Sequence, residues 1–172
     1  MKLLDSAQDG EEVAVRIRPF RPESDVTACI EIYYWTRRET FSWVPRVRFQ
    51  PSDFLADTLA EEIFVADRGG EVVAFAGLYV PDRFLHHLYV KREHQRRGVG
   101  SLLLRHVLEC SGNQLRLKCL CRNKGALAFY RSQGWCEGER GRDAFGKWVL
   151  LQSPRAGAVV SPGPQVEGGG MT

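Results

Sequence analysis

Alternating and continuous apolar positions along the first half of the chain predict several short strands. Residues 13–20 alternate with a period of two, which is typical of a strand with one buried face. Residues 63–67 and 72–80 are apolar runs joined by Arg-Gly-Gly-Glu, and glycines between two such runs favour a hairpin turn. Residues 84–90 form a further apolar segment. We therefore expect four strands in this half of the protein.

A different spacing of apolar residues predicts helices between and after these strands. The clearest helix is 101–110, because Leu103, Leu104 and Val107 recur at intervals of three and four, and Gly112 can end it. The other expected elements are helices at about 23–39, 52–60 and 123–132 and strands at 115–121, 135–139 and 145–151. This order mixes antiparallel hairpins with one βαβ crossover, which predicts an α/β or α+β sheet with helices on both faces.

The two ends of the chain differ in composition from the body. Residues 1–12 hold one lysine against four acidic residues, and residues 152–172 hold three prolines, five glycines and almost no large apolar side chain. Such segments bury too little surface to offset the entropy cost of ordering, so we expect two disordered tails. The remaining residues, 13–151, are enough for one domain with its own core.

Charge and hydropathy restrict the location and the partners. The 24 basic and 21 acidic residues give a net charge of +3, which suits an anionic ligand but does not by itself indicate nucleic acid. The longest apolar run, Val72–Val80, is far shorter than the roughly 20 residues of a membrane-spanning helix. The N-terminus lacks the apolar core of a secretion signal. We expect a cytoplasmic protein that binds neither membrane nor nucleic acid.

The five cysteines do not form a metal or disulfide framework. Their number is odd, and Cys119 and Cys121 lack the second cysteine or histidine pair that a zinc site needs. We expect reduced thiols and no metal.

A strand that runs into a glycine-containing loop and then a helix carries the strongest functional signal. Residues 95–100 read Gln-Arg-Arg-Gly-Val-Gly. Gly98 and Gly100 allow tight backbone conformations and close approach of a ligand. The free N–H groups and the dipole at the helix start favour a phosphate, and Arg96 and Arg97 add positive charge. A Walker A loop and a dinucleotide fingerprint do not fit the spacing. These residues alone leave open an ordinary turn with a basic surface.

Two separated motifs resemble the GCN5-related N-acetyltransferase (GNAT) superfamily, of the bacterial small-molecule or peptide type. Residues 95–100 resemble its pyrophosphate loop, Gln/Arg-x-x-Gly-x-Gly/Ala. Residues 123–135 resemble its signature Asn-x-x-Ala-x-x-Phe-Tyr-x-x-x-Gly-Phe, with Trp135 as the last residue. The resemblance covers about 13–151. It implies a mixed, mostly antiparallel sheet of six to seven strands, about four helices on both faces, and a V-shaped cofactor cleft.

The resemblance also implies acetyl-CoA as cosubstrate and suggests its contacts. The main chain of the strand Leu88-Tyr89-Val90 should bond the pantetheine arm as an added strand would. The N–H groups of the loop and helix start should hold the pyrophosphate. Asn123 should bond the pantetheine, and a helix cap is its alternative role. The implied acetyl-CoA contacts are Leu88, Tyr89, Val90, Gln95, Arg96, Arg97, Gly98, Val99, Gly100, Ser101, Asn123 and Tyr130.

By the same resemblance, a free primary amine attacks the thioester directly in a ternary complex. Tyr130 would protonate the departing thiolate, and its alternative role is an aromatic core residue. A main-chain N–H near residues 88–90 would stabilise the oxyanion. His86 is the favoured general base, His87 the second candidate, and water alone the third. Strand alternation places His86 with Leu88 and Val90 and places His87 on the opposite face, unless a bulge intervenes.

The acceptor amine stays open at this point. The resemblance implies that the segment 32–45 lines the acceptor site, with Glu39 as a possible amine anchor. The favoured interpretation of its aromatic residues Tyr33, Trp35 and Phe41 is nevertheless a place in the core, and binding of an apolar or cationic substrate is the alternative. Peptide N-termini, polyamines, amino acids and antibiotics all remain candidates, for a monomer or a homodimer. The alternative function is a non-catalytic acyl-CoA-binding or regulatory protein. The basic loop lacks the interleaved aromatic residues of a nucleic-acid site.

Overall fold

A seven-stranded sheet runs through residues 13–154, which are the residues that this computed structural model describes. The strands are β1 (Val15–Pro19), β2 (Glu62–Arg68), β3 (Glu71–Tyr79), β4 (Phe84–Val90), β5 (Arg116–Leu120), β6 (Cys136–Asp143) and β7 (Gly146–Gln152). The helices are α1 (Pro22–Thr40), α2 (Asp53–Asp57), α3 (Val99–Cys110) and α4 (Lys124–Ser132).

The order of strands in the sheet is β1-β2-β3-β4-β5-β7-β6. All neighbouring strands are antiparallel except β4 and β5, which are parallel and are connected through α3. The predicted order of helices and strands, the mixed and mostly antiparallel sheet, and the hairpin of β2 and β3 are confirmed.

The two faces of the sheet carry separate apolar clusters, which confirms the prediction of helices on both faces. On one face, side chains of α1 and α2 such as Ile32 and Phe54 pack on Val65 and Phe75. On the other face, α3 and α4 contribute to a larger cluster that includes Leu103, Leu104, Val107, Leu127 and Tyr130. We refer below to the α1 face and the α3 face.

Strands β4 and β5 separate soon after they meet. Their pairing consists of one register pair, Phe84 with Arg116, supported by a hydrogen bond from the Arg116 N–H to the Arg83 carbonyl (3.0 Å). Strand β5 then continues along β7 as far as the pair Leu120 and Trp148. The parting of the two parallel strands opens the predicted V-shaped cleft in the middle of the sheet.

A β-bulge interrupts the pairing of β3 and β4 at His86. Gly77 pairs with His87 and the next residue, Leu78, pairs with Leu85, so that His86 is the extra residue. Leu85 and Leu88 both lie in the α3-face cluster. The two histidines between them share the α1 face. The alternation that grouped His86 with Leu88 is therefore wrong, because one additional residue shifts the pattern.

Regular structure extends past the predicted domain boundary at residue 151. Gln152 pairs with Arg116 at the end of β7. The Ser153 N–H donates to the Leu115 carbonyl (2.9 Å), and the Leu115 N–H donates to the Ser153 hydroxyl (3.0 Å). The boundary therefore falls inside β7. The predicted N-terminal tail, 1–12, and most of the C-terminal one lie outside the described residues.

Candidate active site

The edge of β4 that faces the cleft carries main-chain groups that do not pair with β3. The Lys91 N–H donates to the Val73 carbonyl of β3 (2.9 Å). Because alternate residues of a strand direct their main-chain groups the same way, Leu88 and Val90 point theirs away from β3 and toward the cleft. The Val90 carbonyl accepts a hydrogen bond from the Gln95 amide (3.0 Å). Gln95 thus ties the following loop to the strand.

The loop between β4 and α3 has the backbone conformation of an anion-binding turn. Arg96 and Gly98 both have positive φ, at +59° and +80°. Gly98 is the N-cap of α3, which has neither a side-chain cap nor an acidic residue in its first turn. The first N–H groups of α3 therefore remain available, next to the exposed Arg96 and Arg97.

The space around Gly100, on the first turn of α3, is large enough for a side-chain Cβ, so packing alone does not require glycine there. A Cβ there would lie 3.6 Å from Val90 Cγ2 and 3.7 Å from Phe129 Cζ, which are ordinary contacts. A glycine at such a position keeps the backbone accessible to a ligand. This observation is consistent with its predicted place in a pyrophosphate site.

Asn123 and Tyr130 project from the two ends of α4 into the same cleft. The Asn123 side-chain oxygen accepts the Ala126 N–H (3.1 Å), so Asn123 is the cap of this helix and its amide N–H₂ is left for other partners. Tyr130 packs between Phe129 and Trp135, with ring centroids at 5.1 and 5.2 Å. Burial raises the pKa of Tyr130 above its ordinary value, so the hydroxyl keeps its proton.

Glu61 meets both histidines on the α1 face. Its side chain is only 3% exposed; Oε1 lies 2.5 Å from Nδ1 of His86, and Oε2 lies 3.6 Å from Nε2 of His87. Gly77 makes room for this carboxylate, because a Cβ at that position would lie 2.0 Å from Oε2. Burial raises the pKa of Glu61, and the hydrogen bond to His86 opposes that effect.

The two histidines differ in exposure. The His86 side chain is 43% exposed, lies against Phe84 (4.8 Å between centroids) and lines the cleft. The His87 side chain is 11% exposed and sits edge-on to Tyr33 (5.2 Å). Burial lowers the pKa of His87 to about 4, so this ring is neutral at pH 7. Only His86 of the pair combines access to the cleft with a carboxylate partner.

Sequence reasoning missed Glu61. This residue follows α2 in a polar stretch, belongs to neither motif, and precedes His86 by 25 positions. Its proximity depends on the pairing of β2 with β3 and on the bulge in β4. Glu39, the possible amine anchor, is half exposed, and its Oε1 lies 3.7 Å from Nη1 of Arg92 in an ion pair.

Residues 32–45, which the resemblance predicts to line the acceptor site, lie partly in the core and partly at the cleft. Tyr33 is buried, Trp35 is 56% exposed and so is not a core residue, and Phe41 lines the cleft. The Trp43 indole N–H donates to the Phe145 carbonyl (3.1 Å). This bond joins the connection after α1 to the β6–β7 turn.

The described residues contain no group of three or more metal-ligating side chains. No helix within residues 13–154 combines the length and the apolar character that a membrane span requires. The five cysteines are free thiols. Burial raises the pKa of both Cys29 and Cys119 to about 12, so these two thiols stay protonated at pH 7.

Strands β4 and β5 part beside the open N-terminus of α3, an arrangement that suits a ligand carrying a phosphate group. Residues 28–135, more than half of the chain, match the family model described as "Acetyltransferase (GNAT) family". The chain belongs to this family, which confirms the resemblance of the two motifs and the class of enzyme, an acetyl-CoA-dependent N-acetyltransferase.

Several solved structures share the fold. A GCN5-related N-acetyltransferase from Rhodopseudomonas palustris has a TM-score of 0.67, 19% identity, and coverage of 80% of this chain and 94% of that chain. PaiA N-acetyltransferase from Thermoplasma acidophilum, in complex with coenzyme A, has a TM-score of 0.67 and 17% identity, and the match covers 81% of this chain and 98% of that chain. The ribosomal-protein-S18-alanine N-acetyltransferase from Escherichia coli has a TM-score of 0.66 and 21% identity, and the match covers 82% of this chain and 94% of that chain. No curated protein sequence matches the chain.

Proposed function

We propose that this protein transfers the acetyl group of acetyl-CoA to a primary amine by direct attack in a ternary complex. The observation that carries the proposal is that an accessible histidine, His86, and a buried tyrosine, Tyr130, line one cleft. A cleft with a proton acceptor and a proton donor suits acyl transfer from a thioester to an amine. One solved structure of the same fold is a complex with coenzyme A, which supports the choice of donor.

The donor would bind along β4 and at the start of α3. The main chain of Leu88, Tyr89 and Val90 borders the cleft and would receive the pantetheine arm as a strand. The pyrophosphate would lie on the free N–H groups of the turn and first helical residues, which comprise Gln95, Arg96, Arg97, Gly98, Val99, Gly100 and Ser101. Asn123 would use its amide N–H₂, since its oxygen is engaged as the helix cap.

The chemistry requires the acceptor nitrogen to lose two protons and the thiolate to gain one. The acceptor ammonium first loses a proton to His86, which returns it to solvent through its exposed ring. The free amine attacks the thioester carbonyl, a C–N bond forms, and the C–S bond breaks. The tetrahedral nitrogen then loses its second proton to water, and Tyr130 gives its proton to the departing thiolate and regains one from solvent. The products are an amide, free coenzyme A and one proton.

The alternative, a non-catalytic acyl-CoA-binding protein, would need the loop and the strand edge but no groups for proton transfer. Both His86 and Tyr130 line the cleft, which favours catalysis. The acceptor, the cytoplasmic location and a monomeric or homodimeric state stay predictions.

The pyrophosphate assignment is tested by isothermal titration with acetyl-CoA. Gly98→Trp places an indole over the free N–H groups and should abolish binding. The matched control is Gly112→Trp, because Gly112 lies at the other end of α3, also has positive φ, and also has open space around its Cβ position. Equal binding by the wild type and the Gly98 variant would contradict the assignment.

The activity is tested by release of free thiol with a panel of amines. The panel contains a peptide N-terminus, a polyamine, amino acids and an aminoglycoside. Tyr130→Phe should lower kcat by at least about 100-fold and leave the Kd of acetyl-CoA unchanged, while Tyr34→Phe, a tyrosine change outside the cleft, should be neutral. Binding of acetyl-CoA without turnover of any amine would favour the non-catalytic alternative.

A further inference from the structure

We propose that Glu61 is a positioning residue for the acetyl transfer, which holds the His86 ring through Nδ1 so that Nε2 faces the acceptor amine. The inference rests on the proposed function and adds to it a residue from outside both motifs. The Glu61 carboxylate would stabilise the imidazolium that forms when His86 removes the proton from the ammonium substrate.

Two backbone features at the same point of the sheet create the pair. The bulge at His86 turns its ring onto the α1 face, beside His87 rather than opposite it. Gly77, directly across from His87, leaves the space that the Glu61 carboxylate fills. Any side chain at position 77 would occupy the place of Oε2. These features together keep the carboxylate 2.5 Å from the accessible histidine.

The hydrogen bonding of this carboxylate is incomplete within the described residues. Glu61 Oε2 and His87 Nδ1 are both buried without a hydrogen-bond partner there. A buried carboxylate with one bonded oxygen costs stability. A purely structural role does not explain why the fold keeps it next to an exposed imidazole, whereas stabilisation of a transient positive charge does.

The charged and titratable groups around the pair come from α1, α2, β4 and β3, and the Tyr79 ring of β3 stacks on that of His86 at 6.0 Å. Glu61 faces His86 and His87 of β4. Besides burial, the negative charge of Asp57 in α2 repels the Glu61 carboxylate and raises its pKa. The His87 ring contacts the rings of Tyr33 and Tyr89. It also interacts electrostatically with Asp57 and Arg37. Arg37 is itself paired with Asp53 at 2.9 Å. Glu61 is therefore the carboxylate in hydrogen-bond contact with His86.

The proton transfer balances without any further reactant. With Glu61 ionised, the Nδ1–H of His86 donates to Oε1, and the lone pair of Nε2 takes a proton from the ammonium group. The ring then carries one positive charge beside one negative charge, and its exposed edge passes the proton to water. Loss of the carboxylate charge would make the ring a weaker base without removing it.

The test is the pH profile of kcat/KM for Glu61→Gln with the best amine of the panel. Glutamine keeps the size and a hydrogen-bonding oxygen but has no charge. We expect the plateau to fall about 10- to 100-fold and the acid limb to move to lower pH by about one unit, with the Kd of acetyl-CoA unchanged. An unaltered rate and profile would overturn the proposal.

Gly77→Ala tests the same contact without removing the charge. Its Cβ should displace the carboxylate and move the rate and the acid limb as Glu61→Gln does. The control is Gly138→Ala, another strand glycine, where a Cβ would meet only the Leu150 carbonyl at 3.7 Å. If Gly77→Ala does not fold, ring-nitrogen NMR of His86 in Glu61→Gln decides: a titration midpoint equal to that of the wild type refutes the pairing.

Measurements on the wild type distinguish failure of the proposed function from failure of the role of Glu61. If it neither binds acetyl-CoA nor acetylates any amine, the proposed function fails. If the wild type is active and both variants match it in rate and pH profile, only the role of Glu61 fails.

Discussion

Asp25 and Glu61 are both buried carboxylates, and the protein surrounds them in opposite ways. Asp25, in α1, accepts two hydrogen bonds from the Arg18 guanidinium (2.6 and 3.0 Å), one from the Arg21 N–H (2.7 Å) and one from the Ser24 hydroxyl (2.9 Å). These partners lower the pKa of Asp25 to about 2, with the Arg18 hydrogen bonds as the largest cause and burial opposing them.

Glu61 has one strong partner, His86, and an oxygen that no described group bonds. Burial raises its pKa. The comparison teaches that burial alone does not distinguish a structural carboxylate from a functional one. Completeness of hydrogen bonding is the observed difference: Asp25 has four partners that stabilise the fold, whereas Glu61 keeps an unbonded oxygen beside an accessible imidazole, as its proposed role requires.

The largest expected effect is on folding, at Asp25. Asp25→Ala removes all four hydrogen bonds and leaves the Arg18 guanidinium, itself only 19% exposed, with Asp67 and the Pro19 carbonyl as partners. We expect a loss of about 3 kcal/mol in the free energy of unfolding, measured by urea denaturation at pH 7. A loss below about 1 kcal/mol would remove the distinction between the two carboxylates.

The pH dependence of stability sharpens the same contrast. Because the pKa of Asp25 is lower in the folded state than its ordinary value of 3.8, its contribution is complete above pH 4 and is lost as the pH falls toward 2. The contribution amounts to about 2 kcal/mol. Urea denaturation from pH 5 to pH 2 should show this slope in the wild type and a reduced slope in Asp25→Asn.

The smallest expected effect on folding is at Glu61. Its raised pKa means that the folded state disfavours the ionised carboxylate, so the neutral isostere Gln should change the free energy of unfolding by less than about 1 kcal/mol at pH 7. Urea denaturation measures the difference. A destabilisation as large as that of Asp25→Ala would make Glu61 a structural residue and would break the comparison.

Local signals predicted the elements that hold the cleft. Strand β4 was predicted with its observed bounds. Helix α3 was predicted to start two residues late, because Gly98 at its N-cap and Gly100 in its first turn obscured the start. The last strands were less well predicted. Strand β6 extends to Asp143 rather than 139, because an exposed edge strand rich in charged residues has no apolar period to detect.

The sequence by itself determined the order of elements, the family, and the loop and helix cap that border the cleft, because these depend on contacts between residues close in the chain. The tertiary structure alone decided that His86 and His87 share a face, and that Glu61 reaches them through the space left by Gly77. Such a cluster depends on strand register and on the room between side chains, and residues far apart in the chain meet only when the sheet has formed.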